Sequence, residues 1–121
     1  MNKPVVAIVD DDPRVLASLV ELLESAGYEI RSFISGEALL ASGLKGVDVL
    51  ITDIGMPGPD GFELRDLARR ENPQLPVFLI TGRHEITDRD RAKGIGGFLR
   101  KPFDGHALLA AVRDALGERQ G

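Results

Sequence analysis

The chain has 121 residues, 43% of them hydrophobic and 28% charged, with a formal net charge of −4; this is the size and composition of one globular domain, long enough to bury roughly two thirds of its unfolded surface. It has no cysteine, which excludes disulfides and thiolate metal sites, and its basic residues are scattered, so no electrostatic stripe for direct nucleic-acid binding is expected. Met1-Asn2-Lys3-Pro4 leads straight into a strand-like run, with no signal-peptide pattern and nothing near the ~20 apolar residues of a membrane span, and the expectation is a cytoplasmic protein without membrane attachment.

Five short apolar runs alternate with helical patterns, which predicts parallel βα units in a single domain over residues 1–121. The first strand is Val5–Val9. Asp12 then caps a helix with Pro13 at its first position, and Val15, Leu16, Leu19, Leu22, Leu23 and Ala26 recur at helical spacing until Gly27 ends it. Glu29–Phe33 is the second strand. Ser35 caps a short helix carrying Ala38, Leu39 and Leu40, broken by Gly43 and Gly46 before the third strand, Val47–Thr52. The loop from Gly55 to Gly61 is too rich in glycine and proline to be regular, so the third helix starts near Asp60 and runs to Asn72, burying Phe62, Leu64 and Leu67. Pro73 and Pro76 bracket the turn into Val77–Thr81. A weak helical stretch around Thr87–Lys93 leads to the short strand Gly97–Leu99, and a last helix capped by Asp104 buries Leu108, Leu109, Val112 and Leu116 before fading into the polar tail from Glu118.

Polar groups gather where these strands end: Asp10-Asp11-Asp12 after the first, Asp53 closing the third, Thr81 closing the fourth, and Lys101-Pro102 just past the fifth. Open α/β sheets hold their ligands at the carboxyl edge of the strands, so one hydroxyl, one lysine and several carboxylates are expected to converge there. Asp12 precedes Pro13 and is read as a helix cap. His84 and His106 have no metal-ligand spacing and are read as surface residues.

Four ordered motifs make the pattern specific: Val-Asp-Asp-Asp-Pro at 9–13, Thr-Asp-Ile-Gly-Met-Pro at 52–57, Ile-Thr-Gly at 80–82 and Lys-Pro-Phe at 101–103. Over essentially its whole length the chain resembles the receiver domain of two-component response regulators. The resemblance implies a flavodoxin-like, doubly wound five-stranded parallel sheet of order 2-1-3-4-5 with helices on both faces, and a phosphoacceptor domain rather than an enzyme in its own right. It makes Asp53 the acceptor of a phosphoryl group from a sensor histidine kinase or a histidine phosphotransfer protein. Asp10, Asp11, Asp53 and the backbone carbonyl of Gly55 would hold Mg²⁺, Thr81 and Lys101 would contact phosphoryl oxygens, and Phe98 would be the switch aromatic, although it could equally be a plain core residue. The output is expected on the surface around the segment after Thr81, the fifth strand and the last helix. It would act on a downstream effector of unknown identity, as a monomer or a weak phosphorylation-dependent dimer.

The chain departs from the common pattern at three points. The segment between Thr81 and Lys101 is a couple of residues short, Gly55 stands where many relatives carry a larger side chain, and Arg83 lies two residues past Thr81. The resemblance implies that positions 55 and 83 flank the route of the hydrolytic water, so both are candidates for setting the dephosphorylation rate. Other readings stand beside this one, among them a receiver used only for phosphorylation-independent binding, whose mark would be loss of Asp53, Lys101 or an acid of the pair, all of which are present. A Mg²⁺-dependent phosphohydrolase of similar fold would need a second acid two residues past the nucleophile, where this sequence has Gly55; a receiver excised from a larger transcription regulator or hybrid kinase would look the same.

Overall fold

In the computed structural model, which describes residues 3–81, 96–100 and 104–120, the apolar runs form strands β1 (Val5–Val9), β2 (Glu29–Phe33), β3 (Val49–Asp53), β4 (Val77–Thr81) and β5 (Gly96–Arg100). All pair in parallel, in the order β2-β1-β3-β4-β5, the flavodoxin-like arrangement expected. β3 and β4 are buried along their whole length, because helices cover both faces of the sheet. That is why these strands read as unbroken apolar runs and not as alternating ones.

The helices begin where the sequence supplies caps. Asp12 accepts a hydrogen bond from the Arg14 N–H and starts α1 (Pro13–Ser25) with proline in its first turn; Ser35 accepts from the Ala38 N–H and starts α2 (Gly36–Ser42). Asp60 and Glu63 form a reciprocal capping box at the head of α3 (Gly61–Glu71). The C-terminal helix spans Gly105–Gln120. One apolar layer, including Ile8, Leu19, Leu23, Ile51, Ile80, Leu108 and Val112, lies between the sheet and the pair formed by α1 and the C-terminal helix. The other, including Val9, Leu39, Leu50, Leu64, Ala68 and Leu79, lies under α2 and α3.

Several boundaries differ from the sequence reading. β3 begins at Val49, not Val47, because the Val47 N–H closes a turn onto Leu44 and Asp48 splays to bond both ways with Val5 before the ladder starts. It also runs one residue further and takes in Asp53. In α3 the buried positions are Gly61, Leu64, Arg65 and Ala68, with Phe62 and Leu67 only partly covered. Leu109 is likewise half-buried, while Leu108, Val112 and Leu116 are in the core as expected. Leu40 is exposed, and the C-terminal helix continues through the polar tail to Gln120. The helical stretch anticipated at Thr87–Lys93 lies outside the described residues. Among those described, no helix is long and apolar enough to cross a membrane.

Candidate functional site

Register brings the acids together. Val9 of β1 is level with Thr52 of β3, so the next residues, Asp10 and Asp53, leave the two central strands side by side at the carboxyl edge. Asp10, Asp11 and Asp53 each offer a carboxylate oxygen within 4.8 Å of the others. Asp10 and Asp53 are buried and Asp11 is exposed, giving a cluster open to solvent on one side. Among the described residues the cluster is three carboxylates, a hard oxygen donor set that fits Mg²⁺ or another hard divalent cation better than zinc or copper.

The backbone around the cluster is tied down. The Asp10 N–H donates to the Phe33 carbonyl at 3.1 Å, and one Asp10 carboxylate oxygen accepts from the Asp12 N–H at 2.9 Å. Asp12 is therefore turned into the helix, capping α1, and takes no place in the carboxylate cluster. The Thr52 hydroxyl donates to the Asp53 carbonyl at 3.1 Å, and the Ile54 N–H donates to Ile80 across the sheet at 3.0 Å. Gly61 packs so close behind Asp53 that a Cβ there would stand 2.6 Å from the Asp53 carbonyl oxygen.

Gly55 is exposed two residues beyond Asp53, and a Cβ placed on it meets nothing within 4 Å. Thr81 is buried, 1% exposed, at the end of β4. Phe98 sits on β5 opposite Leu79, its ring half-buried against Phe62 of α3. His106 is exposed, as expected. Lys101, Arg83 and His84 lie outside the described residues.

Sequence reasoning missed two residues of α3, Gly61 against Asp53 and the buried Arg65. Gly61 was only one of several glycines in the loop, with no signal that its packing against Asp53 would be so close. Arg65 is the sharper case, since a charged residue in a helix is ordinarily solvated. Its side chain is 3% exposed, with Nε 3.5 Å from the Asp66 carboxylate and the guanidinium carbon 5.2 Å above the centre of the Phe62 ring. Burial, and then the Arg65 charge one turn away, hold the Arg69 guanidinium below its usual pKa, with Asp66 acting in the opposite direction.

Comparison with known proteins agrees with this arrangement. Residues 6–113 match the family described as response regulator receiver domain. The chain is 37% identical over 116 residues to the transcriptional regulatory protein FixJ of Azorhizobium caulinodans, covering 93% of this chain and 54% of that protein. It is 36% identical over 123 residues to the DNA-binding transcriptional regulator NtrC of Escherichia coli, covering 99% of this chain and 26% of that protein. The chain thus spans about half or a quarter of the length of these relatives. Among solved structures, the signal receiver domain of an HD domain-containing protein from Pseudomonas fluorescens superimposes with a TM-score of 0.87 at 27% identity, covering 98% of both chains.

Proposed function

Because the chain belongs to the response regulator receiver domain family, we propose that it is a phosphorylation-activated switch of a two-component or phosphorelay system, in which Asp53 takes a phosphoryl group from the histidine of a sensor kinase or phosphotransfer protein. The observation that carries this reading is the convergence of Asp10, Asp11 and Asp53 at the carboxyl edge of the two central strands. A packing role does not account for three acids on one edge, two of them buried.

A carboxylate is a weak nucleophile, and a phosphoryl group is already negatively charged, so the approach of one to the other requires neutralisation of charge. Mg²⁺, when held by Asp10, Asp11, Asp53 and the Gly55 carbonyl, supplies that neutralisation. The Asp53 backbone is held by the Thr52 hydroxyl donating to its carbonyl and by the Ile54 N–H donating to Ile80, and this limits the reorganisation needed as the Asp53 oxygen bonds to phosphorus. The phosphorus–nitrogen bond of the donor breaks, its electron pair returns to the imidazole, and the product is an aspartyl phosphate. Lys101 contributes a second positive charge, and the Thr81 hydroxyl donates a hydrogen bond that strengthens as charge builds on the phosphoryl oxygens. Phe98 is the aromatic that reports the change, and Gly55 and Arg83 set the access of water and so the lifetime of the phosphoryl group.

Mass spectrometry of the intact chain after acetyl phosphate or phosphoramidate with Mg²⁺ tests this. One phosphoryl addition is expected in the wild type and none in Asp53→Asn. Addition that persists in the variant, or fails in both, rejects Asp53 as acceptor. The relatives FixJ and NtrC are transcriptional regulators of which the chain matches one portion, and this favours control of transcription as the output, with DNA contacted by a segment other than this domain.

A further inference from the structure

Behind the switch aromatic lies a second ring. On the sheet face under α2 and α3, Leu79 and Phe98 are register partners on β4 and β5, and strand alternation puts Thr81 on the face of Leu79. Thr81 and Phe98 therefore share one face of the sheet, on adjacent strands. The Phe98 ring packs on that of Phe62, with centroids 6.2 Å apart and planes inclined at 56°, within the range of favourable tilted aromatic pairs. Phe62 is held in turn by the Arg65 guanidinium, 5.2 Å from its centroid and one helical turn along the same face of α3. The first residue of that helix, Gly61, abuts the Asp53 backbone. The ring that receives Phe98 is thus built on the element seated directly against the acceptor.

We propose that Phe62, clamped by Arg65, is a positioning residue of the switch: it stabilises the packed position of Phe98 and thereby favours the phosphorylated state. The inference rests on Asp53 as acceptor and Phe98 as switch aromatic. When the Thr81 hydroxyl is drawn toward a phosphoryl group at Asp53, it leaves room for the Phe98 ring on their shared face. Whatever stabilises the packed ring then stabilises the phosphorylated state by the same factor. Arg65 restrains Phe62 because its cation lies over the ring face, a cation–π contact that favours arginine over lysine.

Titration of beryllofluoride with Mg²⁺, a mimic of the phosphoryl group, into the wild type, Phe62→Leu, Phe98→Ala and the double variant reads the coupling directly. Loss of one aromatic pair corresponds to about a three- to tenfold weakening of affinity in Phe62→Leu, with no further weakening when the same change is made on Phe98→Ala. Unchanged or tighter binding in Phe62→Leu, or equal weakening with and without the Phe98 ring, overturns the proposal. If the wild type does not take up beryllofluoride, the phosphoacceptor reading itself falls, and this inference with it. Should Phe62→Leu fail to fold, ring-to-ring cross-peaks between Phe62 and Phe98 in the wild type decide the matter. They are expected to strengthen on adding beryllofluoride, and their weakening or constancy counts against the role assigned to Phe62.

Discussion

Gly61, the first residue of α3, lies so near Asp53 that a Cβ on it would come within 2.6 Å of the Asp53 carbonyl oxygen and 2.9 Å of the Ile54 Cα. These are backbone atoms in the floor of the site, held by a cross-strand hydrogen bond from the Ile54 N–H to Ile80. They cannot yield as a flexible side chain can. Gly61→Ala is therefore expected to shift the Asp53 backbone and to cost about 1–3 kcal/mol, the usual range for overpacking. It should also slow phosphorylation by acetyl phosphate, since small displacements of a nucleophile carry large rate penalties. Urea denaturation and the rate of phosphoryl incorporation check both; a fully stable and fully active Gly61→Ala protein would show that the contact is not constraining.

The carboxylate cluster should itself be a source of instability when no cation is bound. Asp10, Asp11 and Asp53 bring their oxygens within 4.8 Å, and like charges at that separation repel by about 1 kcal/mol per pair even in a strongly screening environment. Asp53→Asn removes two of these pairs, so in EDTA the variant is expected to melt above the wild type. Mg²⁺ should raise the melting temperature of the wild type more than that of the variant, because it binds only the folded arrangement. Thermal unfolding with and without Mg²⁺ measures this, and a variant that melts clearly below wild type in EDTA contradicts the crowding.

Much of this site was legible in the sequence because its chemistry is written at strand ends. A run such as Val5–Val9 followed by three acids fixes where Asp10 and Asp11 emerge, and parallel pairing then fixes their level with Asp53. Helix starts were equally readable, since Asp12 and Ser35 each act as the cap their type suggested and the third helix starts directly after Asp60. Tertiary packing was not readable. Phe62 was expected to be buried and nothing in the sequence singled out Arg65, yet Arg65 is the more deeply buried of the two, because a long side chain can fold its apolar stem and planar head over a neighbouring ring. The extra residue of β3 follows from the sheet, whose ladder pairs Asp53 with Ile80 of β4. No local pattern announces a register partner in another strand.

Gly55 offers the opposite case to Gly61. It does not adopt a left-handed conformation, unlike Gly58 three residues on, whose φ is +73°, and an added Cβ meets nothing within 4 Å. Gly55→Ala should therefore be accommodated without strain and stabilise the fold by about 0.4–1 kcal/mol through the reduced freedom of the unfolded chain. A larger apolar side chain at the same place, as in Gly55→Leu, is expected to shield the acceptor and slow loss of the phosphoryl group. The stability is read by chemical denaturation and the lifetime by following decay of the phosphorylated mass. A faster decay in Gly55→Leu would mean that water reaches the site from another side.

Asp11 and Asp12 are adjacent acids with separate work, and two substitutions should separate them. Asp12 caps α1, its carboxylate accepting from the Arg14 N–H at 2.9 Å, while the exposed Asp11 belongs to the carboxylate cluster. The ion pair of Asp12 with Arg14 spans 4.0 Å, and Arg14 is almost fully exposed, so it adds little to the capping bond. Asp12→Ala is expected to lower stability by about 1 kcal/mol, the typical cost of a lost cap, while Mg²⁺ affinity stays near that of the wild type. Asp11→Ala should do the reverse: it leaves the helix cap intact and relieves repulsion in the metal-free protein, so stability holds or rises, but it removes a ligand and weakens Mg²⁺ binding. Denaturation in EDTA and a Mg²⁺ titration on both variants give four numbers that must fall in this crossed pattern. If Asp12→Ala loses Mg²⁺ and Asp11→Ala loses stability, the cap and the ligand have been exchanged.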